Sequence, residues 1–140
     1  MLFRSQSGNA LRVTTGVDRS LDGVTTATQR ANQVLDNPYG DKTLSSWFNP
    51  AAFAQPALGT QGTSGYNAYL GPWQRTLDLS LVRQFPISKT QRLEARIEAF
   101  NAGNWFRRGD PVTSLSSPVF GRIQTAGDPR IFQFAAKYVF

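Results

Sequence analysis

The sequence predicts an all-β chain: about four antiparallel strands from the C-terminal end of a transmembrane β-barrel, with long extracellular loops and a barrel left incomplete. Three observations predict it. Three segments alternate apolar and other residues with a period of two, the connections between them are very unequal in length, and the composition suits strands and loops. Hydrophobic residues make up 40% of the 140 positions and charged residues only 17%, with Gly and Pro at 12 and 8 positions.

The first element in chain order is a strand near 10–16, where Val13, Thr14 and Thr15 are β-branched and Gly16 stops the run. A long loop follows over 17–75, punctuated by Asn37-Pro38, Asn49-Pro50 and Gly71-Pro72. The next strand covers 76–85, with Leu77, Leu79 and Leu81 opposing Asp78, Ser80 and Val82. Residues 86–89, begun by Pro86, are short enough to close a hairpin. That hairpin decides the following segment, 90–100. Leu93, Ala95, Ile97 and Ala99 alternate with Arg92, Glu94, Arg96 and Glu98, but Leu93, Ile97 and Phe100 also sit at helical spacing. After a second long loop, 101–128, the last strand runs over 129–140. It places Phe132, Phe134, Ala136, Tyr138 and Phe140 on one face and Ile131, Gln133, Ala135, Lys137 and Val139 on the other.

Long loops at one end and a short turn at the other are the pattern of an outer-membrane barrel, whose short turns face the periplasm. A small compact domain with such loops would be unusual. The turn at 86–89 and the chain end are therefore expected on the periplasmic side. No run approaches the roughly 18 apolar residues of a membrane-spanning helix, so entry into a membrane must be by strands. The opening residues do not form a signal peptide.

Several function classes lose support. Neither Cys nor His occurs, which removes disulfides, thiolate sites, the commonest metal ligand and the Ser-His and Cys-His pairs. The nine Asp and Glu nominate no catalytic pair. The chain is expected to be no enzyme and to need no cofactor and no metal. The net charge of +6 comes from scattered residues, Arg107-Arg108 being the densest pair, so no stripe for nucleic acid forms.

The strings WFNPAAF at 47–53, EAFN at 98–101, FGRI at 120–123 and AGDPRIFQFAAKYVF at 126–140 resemble the C-terminus of the large TonB-dependent receptors with a carboxypeptidase-regulatory-like domain. These Oar-like proteins are abundant in Acidobacteria. TTGVDRSLDGV at 14–24, QRAN at 29–32 and NPYGDKTLSSWF at 37–48 look like the same family, so the resemblance covers nearly the whole chain. It implies an outer-membrane location and a place in barrel wall and loops. Its implied partners are membrane lipid, the rest of the barrel, and TonB through N-terminal parts beyond this chain. It also implies that Phe140, with Tyr138 and Phe134, forms a signal read by the barrel-assembly machinery; the same three residues also suit simple lipid contact. The sequence departs from the family at Gly65-Tyr66-Asn67, where an Arg is missing, and at 102–108, AGNWFRR. Signal peptide, plug and TonB-contacting segment are not in this chain, and four strands cannot close a barrel of about twenty-two. The expectation is a fragment.

Within the long loop, Tyr39, Trp47, Tyr66, Tyr69 and Trp73, with Phe48 and Phe53, suit either packing or ligand contact, and packing is favoured because large aromatics bury well. The competing reading is a small soluble β-rich module that binds glycans or protein through 37–73.

Overall fold

A computed structural model describes residues 1–24 and 28–140. Its strands are β1 (Leu2–Gln6), β2 (Ala10–Leu11), β3 (Asn32–Gln33), β4 (Phe53–Ala54), β5 (Tyr69–Leu70), β6 (Gln74–Pro86), β7 (Arg92–Phe100) and β8 (Ile131–Val139), with a 3-10 turn at Pro50–Ala52. Among the described residues no helix is long and apolar enough to cross a membrane, which says nothing of crossing by strands. The chain divides into two compact units, and each is described separately. One holds 1–6, 74–107 and 126–140, the other 7–73 and 108–125.

The first unit is a four-stranded antiparallel sheet in the order β1-β6-β7-β8. β6, β7 and β8 form a meander, and β1 adds to the free side of β6 with Phe3 opposite Leu77. The sheet is open, with β1 and β8 as its edges. The period-two segments at 76–85, 90–100 and 129–140 lie in β6, β7 and β8, and the hairpin context resolves 91–100 as strand. The β6–β7 loop differs slightly from expectation. Pairing continues to Pro86 opposite Arg92, and the reversal lies at 87–91, where the N–H groups of Ile87 and Ser88 donate to the Gln91 carbonyl at 2.9 and 3.1 Å. Pro86 closes the strand because it has no N–H to continue the ladder.

Two expectations are corrected here. The strand expected at 10–16 is only Ala10–Leu11, paired with Tyr69–Leu70. Thr14 makes isolated bridges to Arg30 and Ser114. The fourth strand of the sheet is instead Leu2–Gln6, whose alternation is too short and mixed to stand out. Second, the loop expected over 17–75 ends at Trp73, where β6 follows, and 17–73 and 108–125 are not plain loop. With residues 7–16 they fold around a core of Val13, Ala31, Trp47, Phe48, Ala52, Phe53, Tyr69, Phe120 and Ile123. Phe48 is 1% exposed; it stacks on Phe120 and Tyr39 and meets Phe53 and Tyr69 edge to face. Aromatic clustering of this sort supplies the burial that lets a segment with little regular structure hold one conformation.

Candidate membrane-facing surface and loop framework

Register across the sheet sorts every side chain to one of two faces. Leu79, Leu81 and Phe85 of β6 stand opposite Ala99, Ile97 and Leu93 of β7, which in turn stand opposite Phe132, Phe134 and Tyr138 of β8. Leu77 and Phe3 extend the same face onto β1. The other face carries Arg4, Thr76, Asp78, Ser80, Gln84, Arg92, Glu94, Arg96, Glu98, Gln133 and Lys137 by the same pairings. There Arg96 bridges Glu94 and Glu98 at 3.5 and 3.8 Å, and Gln84 donates to Glu94 at 3.1 Å.

The apolar face is uncovered. Leu81 is 66% exposed and Phe134 71%, whereas a soluble sheet buries such a face against a second layer. Aromatic residues border it at both ends. Phe3 and Trp105 meet edge to face at 6.2 Å near the outgoing loops, with Phe132 on β8. Phe85 and Tyr138 lie near the 87–91 loop, where Tyr138 and Phe140 are 6.0 Å apart. Eight residue steps separate Leu77 from Phe85. At ~3.4 Å per residue and a tilt of ~40°, they span roughly 21 Å along the strand's projection on a membrane normal, with Leu77, Leu79 and Leu81 as the uninterrupted apolar run and Arg83, over the Phe85 ring, on the same face near the 87–91 loop.

The exit from β7 is fixed by Asn101, which is 4% exposed at a φ of 48°. Its backbone N–H donates to Asp78 Oδ1 at 2.9 Å, its Nδ2 donates to the carbonyls of Trp105 and Asp128, and its Oδ1 accepts from Trp105 N–H at 3.1 Å. Asn tolerates this left-handed backbone better than most residues because its short polar side chain bonds locally. At the same end of the polar face lies a cavity of about 320 Å³, lined among others by Arg4, Gln74, Asp78, Asn101, Arg107 and Asp128. Both charge signs line it, so it favours no one ion. Among the described residues no group of three or more acids, His or Cys forms a metal cluster.

Several of the strings that carry the family resemblance, WFNPAAF, FGRI and QRAN among them, are joints of the second unit. The Gly121 carbonyl of FGRI accepts the N–H groups of Trp47 and Phe48 at 2.8 and 3.3 Å. Gly121 has a φ of 75°, and a Cβ there would fall 2.7 Å from the Phe48 carbonyl oxygen. Within QRAN, Arg30 donates to the Ser64 carbonyl at 2.9 Å, Ala31 is fully buried, and Asn32 accepts from Thr63 N–H at 3.0 Å. Gln29 donates to Asp18 at 2.6 Å and to Asp22 at 2.9 Å, while its Oε1 accepts from the N–H groups of Arg19 and Ser20. The Gln29 bond is the largest cause holding Asp18 below the usual carboxylate value; the Leu21 and Gly23 N–H groups add to it. Asp22 is lowered first by the Val24 N–H, then by Ser20. These carboxylates are engaged by donors from their own loop and serve as its pins. Residues 25–27 of the same stretch lie outside the described residues.

The loop aromatics separate into two groups. Trp47 is buried and donates from Nε1 to the Leu70 carbonyl at 3.2 Å; Tyr69 is buried with its hydroxyl donating to Gln33 at 2.8 Å. Burial also raises the Tyr69 phenol above its ordinary value. Tyr39 is half-buried, and its hydroxyl accepts from Leu70 N–H at 2.8 Å. Packing therefore accounts for these three. Tyr66 and Trp73 are 65% and 56% exposed, and Arg12 lies over the Tyr66 ring at 4.9 Å. Phe134, Tyr138 and Phe140 are all exposed on the edge strand or just beyond it. Asn101 and Gln29 were the structural residues that sequence reading did not single out, although both sit inside strings it quoted.

A family model described as an outer membrane beta barrel domain matches residues 1–133. The chain belongs to that family. It is thus an outer-membrane protein with a barrel-type sheet. No curated protein and no solved structure matches it.

Proposed function

We propose that this chain supplies C-terminal wall and extracellular loops to a TonB-dependent transport receptor of the Oar-like type. The observation that carries the reading is where the resemblance falls. WFNPAAF and FGRI pack on one another, EAFN ends in the residue that fixes the β7 exit, and AGDPRIFQFAAKYVF is the edge strand β8 with its approach. Strings that serve as joints within each unit support the same local packing elsewhere in that family. In this role the chain is a passive wall and does no chemistry. Plug movement, energy coupling through TonB and substrate choice reside in other parts of the receptor.

An open sheet leaves edge N–H and C=O groups that hydrocarbon cannot satisfy, each at a cost of several kcal/mol. The edges β1 and β8 therefore pair with further barrel strands. β8 also presents Phe134, Tyr138 and Phe140 to the assembly machinery. Both long excursions leave and return at the end of the sheet opposite the 87–91 loop, which in an outer-membrane barrel supports a reading with the excursions outside the cell and that loop in the periplasm. Sequencing the genomic DNA upstream of the Met1 codon tests the receptor reading. A continuation in frame, or offset by a single frameshift, that encodes more alternating strands is the expected result. An unrelated upstream gene, with a promoter of its own before Met1, would overturn it.

A further inference from the structure

We propose that a cavity in the second unit, between residues 45–50 and 115–122, binds an acidic sugar, with Arg122 taking the carboxylate and Ser45, Ser46 and Ser117 the hydroxyls. Every residue of the site belongs to that unit. It is independent of the receptor reading, which leaves the transported substrate to other parts.

The cavity measures about 340 Å³, within the range of small-molecule sites. Its two walls are tied together by backbone. Trp47 and Phe48 donate to the Gly121 carbonyl at 2.8 and 3.3 Å, and the Ile123 N–H donates to the Leu44 carbonyl at 2.8 Å. The Gly121 N–H also donates to the Val112 carbonyl, and the Val112 N–H to the Arg122 carbonyl, both at 2.9 Å. Phe48 and Phe120 form the buried part of the lining and stack with centroids 6.2 Å apart and ring planes at 14°. Walls fixed in advance leave little to be ordered when a ligand enters.

The lining divides by chemistry. Arg122 is its one charged residue; it is exposed and makes no side-chain hydrogen bond or ion pair among the described residues. Gly121, at its left-handed φ of 75°, stands between buried Phe120 and exposed Arg122, so neighbouring positions supply floor and cation. The serines add hydroxyls. Ser117 Oγ accepts the Val119 N–H at 3.4 Å, which leaves its proton to donate, and Ser45 Oγ lies 3.3 Å from Thr43 Oγ1. Pro50, Leu115 and Pro118 complete the lining with C–H surface.

A single guanidinium matches a single carboxylate, which it can hold through two parallel N–H bonds. A phosphate dianion would leave a charge unmatched. A carboxylate with a wholly apolar body would bury the serine hydroxyls without partners. A sugar acid answers the whole lining: its hydroxyls meet the serines, its carboxylate the arginine, and its ring C–H groups the Pro and Leu surface.

The test follows amide resonances of the isotope-labelled 140-residue chain in a polyoxyethylene detergent, titrated with galacturonate, its methyl ester and acetate. Galacturonate should shift Ser46, Phe48, Phe120 and Arg122 saturably. The methyl ester keeps the hydroxyls without the charge, and acetate keeps the charge without the hydroxyls. Each should bind about ten-fold more weakly or worse, the loss expected for a charge-assisted contact. R122Q should weaken galacturonate by a similar factor and, its side chain being exposed, leave the remaining resonances in place. K89Q removes a cation from the 87–91 loop and should change affinity by less than about two-fold. Trigalacturonate separates a chain terminus from the free sugar as the source, by producing the same shifts or none; either result keeps the site. Methyl ester or acetate binding as tightly as galacturonate, undiminished affinity in R122Q, shifts that map outside the cavity, or no saturable shift at all would overturn it.

Discussion

Leu81 stands midway along β6 between Leu77 and Phe85, opposite Ile97, which is itself opposite Phe134. If this face meets lipid, Leu81 lies near the bilayer midplane, about 10 Å along the normal from either border by the strand rise and tilt used above. Placing a cation there should destabilise the membrane-bound state by ~2–4 kcal/mol, the range for Arg or Lys at the midplane of a barrel. That corresponds to roughly thirty-fold to several hundred-fold weaker partition into neutral vesicles. Ser80, one residue away, points to the polar face opposite Glu98, and Ser80→Arg should change partition by less than about two-fold. The assay is flotation with phosphatidylcholine vesicles over a lipid titration for wild type, Leu81→Arg and Ser80→Arg. Equal partition of the two variants would refute the assignment of faces, because both add the same charge to the same strand.

Further outcomes follow for the second unit and the β7 exit. Phe48→Ala removes the centre of the aromatic cluster and should cost about 3–5 kcal/mol, read as faster limited proteolysis within 7–73 while the β6–β8 sheet keeps its hydrogen-exchange protection. Gly121→Ala forces a Cβ against the Phe48 carbonyl at a left-handed φ, and should destabilise the same unit by at least ~1–3 kcal/mol; an unchanged proteolysis rate would count against that packing. Asn101→Ala should loosen the 101–105 turn by about 2 kcal/mol, seen as faster amide exchange at Trp105, with Asn101→Gly recovering only the backbone part. Asp18 and Asp22 are both held below the ordinary value of 3.8. Their contribution to loop order is therefore full above that value and fades as pH falls through their lower folded values. The Gln29 side-chain amide resonances should accordingly stay fixed from pH 7 to 5 and shift only below about pH 3.8. Movement between pH 7 and 5 would sink that account.

Period-two alternation determined β6, β7 and β8 from sequence, because a side chain's face in a strand depends only on its position modulo two. The same rule separated the apolar side from the polar side before any pairing was known, and the short Pro86 connection turned an ambiguous 91–100 into a strand. Other features were settled only by long-range contact. β1 is five residues of mixed character and becomes a strand because β6 offers an edge. Residues 10–16 look β-prone but turn away to pair with Tyr69–Leu70. The loops read as loops because their core is assembled from single residues far apart, Val13, Phe48, Tyr69 and Phe120, with no period to betray it. Whether an aromatic such as Trp47 or Tyr66 packs or faces solvent is likewise decided by neighbours that the linear order does not name.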